Sequence, residues 1–569
     1  MRARSVVAAV LALALAVLLA ASCSGGAGGR SGLVAGTPSP YGRYVGPSDP
    51  AGRVSFSLVL RLPHQAALDR FLSSVSDPSS PAYGRYLDAR AFGRRFGLSG
   101  AQIGRLEAEL TGQGLRVTGL FPQRTSLGVE GPVGAVERLL RVRLGDFQGR
   151  GGRRFHAPLS TPVVPAALRG LVAAVAGLNT GPVPASADVP EGGLRPTDAA
   201  RAYDVTPLHD RGIQGQGQAI AIVSFASFRD QDVRAFADRE GLPPRPPEHV
   251  PVDGGSTETT GQGSQEVNLD LDVVRGMAPQ AQVLDYEAPL TSVHSFAQGT
   301  ADVINRIVAD GRAHIVSMSW GLCDVPRLAD GTPWLSAGDR LAGERALQAA
   351  VAAGITVFVA SGDTGAFGCQ RFDLTDTRPV PLWPGDSPNV VSVGGTLLSI
   401  RQNGSYLEET GWEDILSGSG TGGGVNPVDP LPSFQRGVAD AAQNPRGHRQ
   451  VPDVAAAADP DSGFLTIFPD PKTKRTVAGV VGGTSAATPF WASSMLLIQQ
   501  FAQQQGAGAL GFVDPLLYRL AASTPSAFHD VTIGGNRLES CGPGWDFATG
   551  LGSPDVFALA KAMLASLGG

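Results

Sequence analysis

Between residues 215 and 393, apolar runs of strand length recur, and helix-length stretches separate them. The runs are Gly215-Gln-Gly-Gln-Ala-Ile-Ala-Ile-Val-Ser224, Gln282-Val-Leu-Asp-Tyr286, His314-Ile-Val-Ser-Met-Ser-Trp320, Ile355-Thr-Val-Phe-Val-Ala360 and Val390-Val-Ser-Val393. The helical stretches are Gln231 to Glu240, Val293 to Ala309 and Ala342 to Ala353. Strands that lack polar alternation must be covered on both faces. A mostly parallel sheet with helices on either side therefore follows, an α/β fold. Chemistry in such folds collects at the carboxyl ends of the strands.

A different unit precedes this one. Ser55-Phe-Ser-Leu-Val-Leu-Arg-Leu62 alternates like a half-buried strand. Helical patterns follow at Ala66 to Ser74, from the cap Ser99 to about Gly112, and at Val133 to Leu140, with a strand at Leu115 to Leu120. These describe a small α+β unit over residues 51–180. Residues 181–198, with Pro182, Pro184 and Pro190, read as a linker and cleavage zone ahead of the main unit, 199–569.

The chain opens on an export signal, residues 1–23: Arg2 and Arg4, then an apolar core from Ser5 to Ala21, too short for a lasting membrane span. Leu19-Ala-Ala-Ser-Cys23 resembles a bacterial lipoprotein signal, in which Cys23 carries lipid and tethers the protein to a membrane. Plain cleavage and release is the alternative. Either outcome places the protein outside the cell or on its surface. Residues 24–50, rich in Gly, Ser and Pro, read as a flexible tether. Export implies an oxidising compartment. If Cys23 is lipidated, Cys323, Cys369 and Cys541 remain, and Cys323 with Cys369 is the favoured pair because each follows a strand end. There is no basic run and the net charge is −5, so no nucleic-acid partner is expected.

Near the C-terminal end, Thr476-Val-Ala-Gly-Val-Val481 meets Gly482-Gly-Thr-Ser485 and then an apolar helical segment through Ile498. A serine behind a glycine turn at a helix N-terminus faces outward N–H groups that favour developing negative charge. It is a candidate nucleophile with part of an oxyanion site. Taken alone, a helix cap after a glycine turn is the commoner fate of a Gly-Thr-Ser. None of the eight histidines has the glycine-flanked strand-end setting of a subtilisin-like base, and Ser224 stands where that mechanism needs an acid. Glu266 and Asp270, four residues apart on one helix face, form a carboxyl pair that could share a proton and act as base in acid; a solvated helix face is the alternative. Asp363, in Ser361-Gly-Asp, could stabilise an oxyanion when protonated. Asp530 and Asp546, among glycine turns, suggest an all-oxygen calcium site.

Ordered along the chain, the motifs Ser76-Asp-Pro, Ser80-Pro-Ala-Tyr, Arg95-Phe-Gly-Leu-Ser, Ser319-Trp-Gly, Ser361-Gly-Asp, Glu409-Thr-Gly-Trp412, Val451-Pro-Asp-Val454 and Gly483-Thr-Ser-Ala-Ala-Thr-Pro resemble the sedolisin (serine-carboxyl peptidase) family, pro-kumamolisin-like. The resemblance implies a subtilisin-like catalytic fold behind a ferredoxin-like prodomain that acts as an intramolecular inhibitor. It matches Ser485 to the nucleophile, Glu266 to the general base, Asp270 to its partner and Asp363 to the oxyanion acid. It also matches Asp530, Val531, Gly542, Gly544 and Asp546 to the ligands of one structural Ca2+. The expected protein is a monomeric, acid-active endopeptidase that cleaves its own prodomain and then polypeptide substrates. A tripeptidyl-peptidase, a histidine-based neutral protease and an inactive surface binding protein are the rivals. The chain departs at Ser224, where some relatives carry a Glu that extends the carboxylate network, and Cys541 has no assignment.

Overall fold

The computed structural model describes residues 38–39, 42–148, 154–180, 193–290, 295–327, 331, 333–438 and 447–567. The signal, Cys23 and most of the linker lie outside these residues.

In the main unit, the apolar runs become one sheet. The strands Glu248–Pro251, Gln282–Glu287, Ala219–Ser224, Ile315–Met318, Thr356–Ala360 and Val391–Ile400 lie side by side in that order, all parallel. Val454–Ala457 adds in parallel to Val391–Ile400, and Tyr406–Gly411 pairs with it antiparallel. Sequence reading missed Glu248–Pro251, Val454–Ala457 and Tyr406–Gly411, which are short or lie near the sheet's edges. The strand order reverses beside Ala219–Ser224, so the carboxyl ends of that strand and its neighbours border a crevice.

Side-chain alternation divides the sheet into two faces. Ile220, Ile222, Val283 and Ile315 face the helices Gln262–Met277 and Thr484–Gln504 in one core. Ala221, Val223, Leu284 and Val316 face Phe296–Asp310 and Ala337–Ala352 in the other. Thr484–Gln504 is buried nearly all round. Phe490, Trp491, Met495, Leu497 and Ile498 have no exposed surface, and each stabilises its position by roughly 1.5–3 kcal/mol. Its N-terminus is therefore held rigidly.

The N-terminal unit is a βαββαβ fold. Its antiparallel sheet runs Arg116–Leu120, Ser126–Pro132, Arg53–Leu60, Val172–Ala176, the ferredoxin-like order. Local signals placed its helices well: Ser99 and Gln102 form a full capping box on Gly100–Gly112, and the helix Val133–Leu140 has the expected bounds. The strand Gly42–Pro47, inside the stretch read as tether, pairs with Leu144–Gln148. Sheet pairing over distant residues overrides a Gly- and Pro-rich composition there.

This unit docks on the Phe296–Asp310 and Ala337–Ala352 helices. Val59, Leu68, Phe71, Phe92 and Phe96 share a core with Ala346 and Ile304. The buried Asn305 side chain ties both units: Gln123 donates to it at 2.6 Å and Thr125 at 2.8 Å. Gly177 N–H donates to Asp339, the residue that also completes the cap of Ala337–Ala352, at 2.6 Å. Gly338 lies so close to the Val175 backbone that a Cβ would fall 2.0 Å from its carbonyl oxygen. Beyond the linker, Leu194 bonds the backbone of Gly463 and Leu465, so residues from 193 on belong to the main unit.

Candidate active site

Gly483 turns the chain at φ +102°, a region open to glycine, and delivers Thr484 and Ser485 to the start of the buried helix. Pro489 has no N–H to return to the Ser485 carbonyl. Ser319, just past the Ile315–Met318 strand, places its hydroxyl 3.3 Å from that carbonyl oxygen and donates to Asp270 Oδ1 at 2.7 Å. The Ser485 hydroxyl lowers the proton affinity of Glu266, the acid beside it. A carboxyl, not an imidazole, thus neighbours the candidate nucleophile. His209 contacts the Met277 carbonyl, His448 the Asn426 carbonyl, and His249 pairs with Glu287.

Glu266 and Asp270 project from one face of Gln262–Met277, as their spacing requires, and both are buried. Burial pushes Glu266 up to about 7; the Ser485 hydroxyl and the Arg371 guanidinium pull the other way, while the charge on Asp363 adds to the rise. Asp270 is held well above the usual carboxylate range, first by burial and then by the charge on Glu266. Glu266 Oε1 and Asp270 Oδ2 are buried without a hydrogen-bond partner, as befits a pair that holds a proton. Asp272, excluded from the site by its direction, accepts from the Ile467 N–H at 2.8 Å.

Asp363 stands against the same helix N-terminus. Its Oδ1 accepts from both the Thr484 N–H and the Thr484 hydroxyl, each at 2.8 Å. Its Oδ2 lies 3.3 Å from Arg371 Nη1. The sequence expectation was a protonated donor. The arrangement here is that of an acceptor, facing two donors and a guanidinium. Arg371 ends the turn Gly368–Arg371, which the Cys323–Cys369 disulfide fixes with its Cα atoms 5.1 Å apart. Sequence reasoning favoured that disulfide but missed Arg371, whose only signal was its place two residues after Cys369.

The first strand ends at Ser224, and its hydroxyl donates to Asp285 on the adjacent strand. Asp285 is fully buried and raised well above its ordinary range by burial and then by the charge on Glu287. Neither acid was singled out from sequence.

The five candidate calcium residues lie on one C-terminal loop. The Gly544 N–H donates to Asp530 at 3.0 Å, and the Gly542 N–H donates to Asp546 Oδ2 at 3.0 Å. Asp546 Oδ1 also accepts from the N–H groups of Ala548 and Thr549, both at 2.8 Å. Val531 is buried between them in sequence. Cys541, on the same loop, is a free thiol pushed up to about 12 by burial and so unreactive.

Residues 40–180 match the family model of the pro-kumamolisin activation domain, and residues 254–512 that of the subtilase family. Kumamolisin from Bacillus sp. (strain MN-32) is 32% identical over 560 residues, covering 93% of this chain and 95% of the relative. The chain belongs to the sedolisin family of serine-carboxyl peptidases. Sedolisin from Pseudomonas sp. (strain 101) is 29% identical over 536 residues, 90% of this chain and 87% of that one. The solved Pseudomonas sedolisin, a serine-carboxyl proteinase complexed with two molecules of pseudo-iodotyrostatin, superposes with a TM-score of 0.55 at 28% identity over 66% of this chain and 98% of its own. As a member of the sedolisin family, the protein is a serine-type peptidase on a subtilisin-like fold, made with an N-terminal activation domain.

Proposed function

We propose that the protein is an exported, acid-active endopeptidase that removes its own prodomain and then cleaves polypeptides through an acyl-enzyme on Ser485. The observation that carries this reading is the placing of Ser485 at the N-terminus of a rigid buried helix, tied through Ser319 to the buried Glu266–Asp270 carboxyl pair. Glu266 takes the hydroxyl proton as Ser485 attacks the scissile carbonyl, then returns it to the leaving amine. Asp270, held by Ser319, keeps the second proton of the pair and sets the orientation of Glu266. The helix N-terminus faces the oxyanion. Asp363, bonded to the Thr484 N–H and hydroxyl at that terminus, completes the oxyanion site. With a carboxyl pair in place of an imidazole as the base, activity falls on the acid side of neutral.

Residues 193–198 are built into the main unit, which favours processing before Gly193. No helix among the described residues is long and apolar enough to cross a membrane. Anchoring would therefore rest on lipid at Cys23, and release is the alternative. For the metal, Asp530 and Asp546 supply two carboxylates on one glycine-rich loop, and among the described residues neither has an ion-pair partner. A calcium ion would supply the missing positive charge and pin the loop.

The test is incubation of the purified zymogen at pH 4 beside Ser485→Ala. Wild type should lose its prodomain and digest a peptide library at internal bonds. The variant should stay intact. Unaided processing of the variant contradicts the reading, and release of N-terminal tripeptides alone would replace endopeptidase with tripeptidyl-peptidase.

A further inference from the structure

Ser224 leaves the end of the first strand without an acid, yet the buried carboxylates do not stop at Asp270. Strand register explains why. Asp285 lies opposite His249 on one neighbouring strand, and Glu287 lies opposite Ser224 on the other. Alternation puts all four side chains on the sheet face covered by Gln262–Met277, the helix that carries Glu266 and Asp270. The Ser224 hydroxyl is spent on Asp285 Oδ1, while Asp285 Oδ2 is buried with no partner. Glu287 in turn bonds His249 Nδ1, and ligand-type atoms of His249, Asp285 and Glu287 all lie within 4.8 Å of one another. The His249 ring stacks on Phe228, with centroids 4.0 Å apart, and Nε2 faces Asp230 at 3.6 Å. The His249 side chain is 41% exposed, so the chain of groups reaches water there.

We infer that Asp285 is a positioning residue for the Glu266–Asp270 pair, supplying from the second strand the acid that the first strand lacks, and that Glu287 and His249 connect it to solvent. The inference rests on the peptidase reading above. A fully buried Asp270 cannot exchange its proton with water directly, yet the pair must hold one proton for Glu266 to serve as base. The groups facing Asp285 are Ser224, Glu287 and His249, and its charge is felt by Asp270 on the covering helix. Each carboxylate raises its neighbour's hold on a proton, Asp285 acting on Asp270 and Glu287 on Asp285. His249 is raised by the Glu287 bond and offers the balancing positive charge. The path moves protons only and needs no redox partner.

The experiment compares the mature wild type, Asp285→Asn, and Asp285→Asn combined with Ser224→Asp, all in calcium-containing buffer without zinc, in pH profiles of kcat and KM on a chromogenic peptide. Removing the second-strand acid should lower kcat several-fold with KM unchanged and move the acid limb, since an amide cannot exchange the proton that Asp285 shares with the pair. Restoring an acid on the first strand should bring the limb back. A profile that keeps its limb in Asp285→Asn, or a wild-type limb that changes when zinc is added, overturns the inference, the latter because a cation then fills the place of the proton. An activity-free readout separates this from failure of the peptidase reading. In the Ser485→Ala zymogen, the infrared band of buried protonated carboxyls should lose intensity on Asp285→Asn; an unchanged band overturns the inference even if peptides are cleaved.

Discussion

Glu266 offers a measurable link between the mechanism and stability. Its carboxyl rises from 4.5 to about 7, chiefly through burial. The sign follows from linkage. Between those two values the folded protein holds a proton that the unfolded chain has lost, so stability falls as pH rises through the window. Below about 4.5 both states are protonated and the group contributes nothing. At pH 7 the penalty is about 3 kcal/mol, taking 1.36 kcal/mol per pKa unit. Glu266→Gln removes that titration. The comparison belongs in a Ser485→Ala background, which prevents self-digestion; loss of the serine hydroxyl only raises Glu266 further. At pH 4 the two proteins should melt alike. At pH 7 the Gln variant should be more stable by up to about 3 kcal/mol, or roughly 2–3 °C for cooperative melting of a chain this long. Differential scanning calorimetry across pH 4–7 reads the difference. Parallel melting curves over that range would refute the claim that a buried, proton-holding carboxyl sits at position 266.

Arg371→Ala should weaken the enzyme most in acid. Its guanidinium lowers the proton affinity of Glu266, so its loss moves the acid limb of kcat/KM to higher pH and cuts activity at pH 4 several-fold; an unmoved limb would mean that Arg371 has no electrostatic hold on the base. Asp530→Ala, or chelation of the wild type, should lower the melting temperature in calcium-containing buffer, and added Ca2+ should restore the chelated wild type but not the variant. Equal melting with and without calcium would remove the metal from the account.

The sheet was legible in sequence because strands buried on both faces must be apolar throughout, and that pattern survives without knowledge of neighbours. Glu266 and Asp270 were legible because a helix fixes which residues share a face. Ser485 was legible because a double glycine, a hydroxyl residue and an apolar helix stand together along the chain. Position in such local patterns also pointed to the Cys323–Cys369 pair. The three short strands escaped because brief edge segments carry too little periodicity.

Tertiary structure alone decided what surrounds those groups. Ser224 and Asp285 are 61 residues apart and meet only because their strands are parallel neighbours. Arg371 reaches Asp363 because a disulfide holds its turn. Docking of the N-terminal unit through Asn305 depends on a helix face that periodicity marks as buried without saying against what. Local backbone geometry repeats with a fixed period and so leaves a trace in the order of residues. Proton affinity depends on which charges and how little water lie within a few ångströms, and the chain's folding, not its order, brings those groups together.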